Sequence, residues 1–265
     1  MCIRDSAEAN VFLPPAQRYQ LEVLGLEAGL LACSNGLSIQ AHRHFTEAST
    51  AYDLVLCAGG PALPDQDFGP AFYSWLRTLC RRSRRFGSIC NGALMLARAG
   101  LLDGRRVTTH WGDVAALARL CPSAKLEADR LYVQDDNLFT SAGVTAGIDL
   151  SLYVLSQDHG PEVALSVAKR LVVFTQRSGG QSQFSPFLTA ATPDDSPVAA
   201  VQRFVQANLR ADLTISELAQ AANMSPRNFS RVFARDTGIT PAQFVEGARV
   251  DAARALLENP ALALK

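Results

Sequence analysis

Between Tyr19 and Phe174 short β-rich runs alternate with stretches of helical pattern, whereas from Pro197 onward the pattern is helical throughout. That change of rhythm limits the fold more than any other feature of the chain. YQLEVL, DLVLCAGG, FGSIC, RRVTTH, LYVQ and NLFTSAG read as strands. Phe72–Arg84, Asn91–Ala99, Trp111–Leu120, Ile148–Asp158 and Pro161–Phe174 read as helices between and after them. Such alternation predicts a parallel sheet covered by helices on both faces. Residues 177–197, RSGGQSQFSPFLTAATPDDSP, are rich in Gly, Ser, Thr and Pro and have no sustained period, which is the composition of a linker. The expected organisation is therefore an α/β domain over 7–176, a linker over 177–197 and a small all-α domain over 198–265. The first six residues, MCIRDS, join abruptly to AEANVFLPPAQRYQLEVLGL and are assigned no part in the fold.

With 265 residues the chain exceeds one usual core, and 48% apolar with 19% charged residues allows both domains to bury one. Net charge is zero, so any nucleic-acid contact must come from a local patch. The six cysteines (2, 33, 57, 80, 90 and 121) form no C-x-x-C pair and no zinc spacing. That usage predicts reduced thiols in the cytoplasm, with neither a disulfide framework nor a metal site. No run is long and apolar enough to span a membrane. No phosphate-binding loop or other cofactor motif is present, so no cofactor is expected.

In the helical tail, Thr214-Ile-Ser-Glu217 is a capping box, and Ser225-Pro226 and Thr240-Pro241 each place a hydroxyl N-cap before a proline at the first helical position. Three helix starts are thereby marked. Two short helices joined by Asn223-Met224-Ser225 make a helix-turn-helix, whose second helix enters the DNA major groove. On that second helix Phe229, Val232 and Phe233 point inward, leaving Arg227, Asn228, Ser230, Arg231 and Arg235 outward. The arginines recur at i, i+4 and i+8, a stripe that suits guanine edges and phosphates but also fits a solvated helix face.

Ser88-Ile89-Cys90-Asn91-Gly92 sets a nucleophilic residue type between a strand and a helix, among small neighbours, as in a nucleophile elbow. The helix start favours thiolate over thiol. The competing reading is a small buried hydrophobe. His110, after the RRVTTH strand, is placed where it can take the thiol proton, or is an ordinary hydrogen-bonded loop residue. Gly59-Gly60 follows the DLVLC strand, and the backbone N–H groups of Gly60 and Asn91 are candidate oxyanion donors.

The segment ISELAQAANMSPRNFSRVFARDTGITPAQFVEGARVDAARALLE resembles the first helix-turn-helix and linker helix of AraC/XylS-type regulators. That resemblance implies groove contacts from Arg227, Ser230 and Arg231, with Asn228 and Arg235 nearer the backbone. DLVLCAGG, SICNGALMLARAGLLDGRRVTTHW, LYVQDDNLFTSAGVTAGIDL and RSGGQSQF resemble the ThiJ/PfpI-like, glutamine-amidotransferase-like domain, and the combination resembles the GlxA-like regulators. The implied fold is a flavodoxin-like three-layer sandwich with a mostly parallel sheet, plus the helix-turn-helix domain. In those families a first strand and following turn, which supply an acidic residue to the site, and a second helix-turn-helix lie beyond the segments matched, so the chain is expected to be truncated at both ends. The implied function is non-enzymatic: a dimeric regulator that binds promoter DNA and a small-molecule effector at Cys90, His110, Gly60 and Asn91. A cysteine-dependent enzyme of glyoxalase, amidase or hydratase type, or a Cys90 redox sensor, is the alternative.

Overall fold

Helix α1 (Cys2–Ala9) comes first, and it corrects the expectation that MCIRDS has no part in the fold. Asp5 and Ala9 are buried, and Ala9 packs with Leu13, Leu152, Leu155, Ala164 and Val167. The computed structural model describes residues 2–48, 51–173, 177, 179–180, 183 and 196–257. It divides into two compact units, Met1–Gly180 and Gln181–Lys265.

In the first unit, β1 (Leu24–Gly25) pairs with β4 (Arg43–His44), and β2 (Gly29–Ala32) with β3 (Ser38–Ala41) as an antiparallel hairpin. The main sheet is built from β5 (Leu54–Ala58), β6 (Arg85–Ile89), β9 (Tyr132–Asp135) and β10 (Leu138–Ser141). Its order is β5-β6-β10-β9, parallel except for the antiparallel β9–β10 pair. A two-residue parallel pair, β7 (Arg106–Val107) with β8 (Lys125–Leu126), forms a ladder of its own beside β9. Alternation along the strands sends Cys57, Phe86 and Leu138 to one face, against α2 (Gly69–Arg82), α3 (Ala93–Arg98) and α4 (Val114–Leu120). Phe139 and Ile89 go to the other face, where Leu150 and Val154 of α5 (Ala146–His159) meet them. Helices α1 and α6 (Pro161–Arg170) pack on α5 from outside. This is the three-layer, mostly parallel α/β sandwich expected.

YQLEVL forms a strand only at its last residue. Asn10 holds the backbone of Tyr19 instead, accepting from its N–H (2.7 Å) and donating to its carbonyl (2.9 Å), while the Tyr19 hydroxyl donates to Asp158 (2.9 Å). A residue so engaged has no ladder to join. Burial opposes ionisation of Asp158, but bonds from Arg85, Tyr19 and Arg84 outweigh it and keep the carboxyl below its ordinary range. RRVTTH likewise pairs only at Arg106–Val107; Thr108 N–H turns to the Thr140 hydroxyl (2.9 Å). The helix expected to reach Phe174 ends at Arg170, and Phe174 lies outside the described residues.

The linker does not begin at residue 177. Arg177 is tied to Asp149, and Gly179 accepts from Leu131 N–H (3.1 Å), so these residues belong to the α/β unit. Most of the expected linker, 184–195, lies outside the described residues.

The second unit contains α7 (Pro197–Ala207), α8 (Ile215–Ala221), α9 (Pro226–Thr237) and α10 (Pro241–Leu257). All three predicted caps form, the box at Thr214 with both reciprocal bonds (2.8 and 3.2 Å). Thr240 and Gln243 make a second box of the same kind. Val201, Leu218, Phe229, Phe233 and Phe244 fill the interior.

Candidate functional site

Chain direction in β6 carries Cys90 to the carboxyl end of the sheet. There it adopts φ 59°, a left-handed conformation that costs a non-glycine residue about 1–3 kcal/mol. A 3-10 turn (Cys90–Gly92) comes next, and then α3. Gly92 makes the bend possible: a Cβ there would lie 2.1 Å from the Cys57 carbonyl oxygen on β5. Thr109 Oγ1 donates to the Cys90 carbonyl (3.1 Å) and holds the turn from the other side. The elbow geometry is therefore real, and Cys90 is half-buried where Cys57, Cys80 and Cys121 are buried. Burial pushes the Cys57 thiol up to about 12.

The surroundings of Cys90 differ from those of an activated nucleophile. Burial, the largest influence, raises its pKa; the Asn91 N–H on the sulfur pulls it down, and the charge of Asp113 adds to the rise. The net shift is upward, against the thiolate expected from the helix start. Alkylation of Cys90 by iodoacetamide should accordingly show a pH midpoint above that of free cysteine; a midpoint below it would restore the redox-sensor expectation.

One of the two expected oxyanion donors, the Gly60 N–H, is already engaged. Asn91, buried, uses its carboxamide on Gly60 in both directions, accepting from its N–H (2.9 Å) and donating to its carbonyl (3.1 Å). The Gly60 N–H is therefore not free to meet an incoming oxyanion. His110 caps a 3-10 turn, and its Nδ1 accepts from Gly112 N–H (3.2 Å), which places the proton of the neutral ring on Nε2. Among the described residues no hydrogen bond joins Cys90 to His110. What stands between them is Gly143, a residue that its sequence context does not single out. At φ 137°, its absent Cβ would lie 3.1 Å from Cys90 Sγ and 3.3 Å from His110 Cδ2. Exposed Trp111 and Val144 are the next residues in the chain after His110 and Gly143. A separate surface depression of about 410 Å³, lined by Asp67, Pro70, Tyr73, Ser74, Arg77 and Arg98, shares no residue with this group.

In the second unit α8 and α9 form the helix-turn-helix, and the turn between them is closed by Asn223 at φ 53°. Phe229 and Phe233 are buried; Arg227, Asn228, Arg231 and Arg235 are exposed. Arg231 Nη2 donates to Asn228 Oδ1 (3.0 Å), which orients the guanidinium along the outer face. Ser230 is half-buried and donates to the Pro226 carbonyl (2.9 Å), and Arg235 is ion-paired with Asp236 (2.6 Å). The structure thus brings Arg227, Asn228 and Arg231 together as a polar face and engages the other two locally.

Residues 8–157 match the model of the DJ-1/PfpI family. The chain belongs to the DJ-1/PfpI family. Residues 218–265 match a helix-turn-helix domain model, so this member joins the DJ-1/PfpI α/β domain to an AraC-type DNA-binding tail, as transcriptional regulators of the family do. The HTH-type transcriptional regulator CdhR of Pseudomonas aeruginosa is 32% identical over 94% of this chain and 73% of its own length. The isonitrile hydratase of Pseudomonas putida is 32% identical over 63% of this chain and 68% of that protein. The crystal structure of an AraC family transcriptional regulator from Pseudomonas putida superposes with a TM-score of 0.54 at 22% identity, covering 64% of this chain and 89% of that one. The chain spans 66–75% of the length of regulators that it matches along nearly its whole sequence. Among the described residues no helix is long and apolar enough to cross a membrane, and no cluster of side chains could hold a metal ion.

Proposed function

We propose that this DJ-1/PfpI-type regulator works in the cytoplasm as a homodimer, binding promoter DNA through α9 and holding a small-molecule effector at Cys90, Gly143 and His110 without converting it. One observation carries the non-catalytic part: the elbow is built, but the groups that would activate it are committed elsewhere. Asn91 occupies the Gly60 N–H, and the His110 Nδ1 lone pair is taken by Gly112. An effector site needs shape and hydrogen-bonding edges; a nucleophile also needs a base and an empty oxyanion site.

Arg231→Ala should weaken binding to DNA from upstream of the chain's own reading frame by about 1–3 kcal/mol. Arg119→Ala, an exposed arginine of the α/β unit, should leave it unchanged. Fluorescence anisotropy at several salt concentrations checks both, and equal effects of the two substitutions would remove α9 as the reading element. Symmetric half-sites one helical turn apart would accord with the dimer.

The elbow and the similarity to an isonitrile hydratase favour a second reading, cysteine-dependent hydration or hydrolysis. Assayed on isonitriles, small aldehydes and amides, wild type and Cys90→Ser should be equally inactive; turnover lost only in Cys90→Ser would establish the enzyme.

A further inference from the structure

We propose that the Arg177–Asp149 pair is a latch through which a group seated at Cys90 is felt where the chain leaves the α/β unit. Asp149, on the first turn of α5, has a side chain only 3% exposed. Arg177 satisfies it three times: its backbone N–H donates to Oδ1 (2.9 Å), and its Nε and Nη2 donate to Oδ2 (3.1 and 2.7 Å). Nη2 also donates to the hydroxyl of Thr145 (3.0 Å). A buried carboxylate that depends on one guanidinium makes the position of that guanidinium consequential.

Thr145 lies two residues after Gly143, in the rim segment that sets Gly143 against Cys90 and His110. The rim is joined to α5 by hydrogen bonds from Ala146 N–H to the Gly143 carbonyl (2.7 Å) and from Ile148 N–H to the Thr145 carbonyl (3.0 Å). A second route runs through Leu131, whose carbonyl accepts from Ala142 N–H (2.7 Å) and whose N–H donates to the Gly179 carbonyl (3.1 Å). The rim is therefore held to the departing chain at two points, Arg177 and Gly179. There is little slack at the Cys90 end, because even a methyl group on Gly143 would press on both Cys90 and His110. An occupant between those side chains has to displace the rim, and with it Thr145.

The latch has two states to choose between: held, or released with the Asp149 carboxylate open to water. The purpose assigned to it rests on the regulator reading, but the test involves no DNA and decides the latch whatever α9 binds.

The probe is the carbamidomethyl group itself, placed on Cys90 with iodoacetamide in the full chain carrying Cys2→Ser and Cys33→Ser. Hydrogen exchange of the Arg177, Gly179 and Gly180 amides should quicken about fivefold or more on modification, the ratio that corresponds to a modest coupling between sites. In Arg177→Ala and Asp149→Asn the same amides should exchange fast beforehand and gain nothing. Thr145→Ala, which removes only the rim contact, should uncouple the two ends while leaving basal exchange slow, and it keeps the test usable if the other variants fold poorly. Arg170→Ala, which breaks an ion pair with Glu8, should behave as wild type. Unchanged exchange at those amides after complete modification of Cys90, or a response in Thr145→Ala equal to that of wild type, would overturn the latch.

Discussion

Phe233→Ala should unfold the C-terminal unit and abolish DNA binding while the α/β unit keeps its own melting transition. Phe233 is fully buried, with the rings of Phe229 and Phe244 at 5.4 and 5.3 Å. It ties α9 to α10 inside a core shared with α7 and α8. Truncating such a ring costs about 3–5 kcal/mol, and a small unit has a total stability near the low end of about 5–15 kcal/mol. Little or nothing is then left to hold the helix-turn-helix. Calorimetry should show two transitions for wild type and one for the variant, with anisotropy on DNA falling to the non-specific level. Two transitions near their original temperatures, with DNA affinity preserved, would show that the aromatic cluster does not carry this unit.

Gly92→Ala should damage the other unit by about 3 kcal/mol, the upper end of the usual cost of overpacking. The new methyl would stand 2.1 Å from the Cys57 carbonyl oxygen and 2.8 Å from its carbon, and these are backbone atoms of β5, held in its ladder with β6 and with no rotamer to give way. The elbow has to move instead, and the left-handed Cys90 moves with it. Denaturant melting should show the loss of stability, and the rate of Cys90 alkylation should change in parallel. Gly60→Ala makes the contrast, since its Cβ meets nothing within 4 Å. It should be close to neutral, and similar losses in the two variants would mean that contact with β5 does not set the elbow.

The helix-turn-helix was legible because its determinants are local: hydroxyl caps, prolines at first helical positions and a three-residue turn lie within a few residues of what they control. The elbow was legible for the same reason, since small residues around Cys90 act on the bend they occupy. What escaped the sequence depends on distant partners. Asn91 and Gly60 are 31 positions apart, and nothing at either end announces that the carboxamide will consume the N–H. Gly143 reads as an ordinary loop glycine until the fold sets it between Cys90 and His110. YQLEVL has the pattern of a strand, but Asn10 and Asp158 claim Tyr19 first. The β2–β3 hairpin is different: Asn35-Gly36 at its turn, with Gly36 at φ 82°, was a readable signal between two short apolar runs. The pattern nonetheless hides the hairpin, because Leu30 and Ile39 are exposed and the runs lack the clean alternation that marks a buried face.

The carboxamide of Asn91 offers one donor and one acceptor to Gly60, the same pair of groups that a neighbouring strand would offer. In effect the β5–β6 ladder gains a rung beyond its last residue, made by a side chain. A sheet end stiffened in this way has few conformations to lose when a guest arrives, so the adjustment falls on the segment around Gly143 and not on the turn that carries Cys90. Similar guests should then be told apart by how far each one moves that segment.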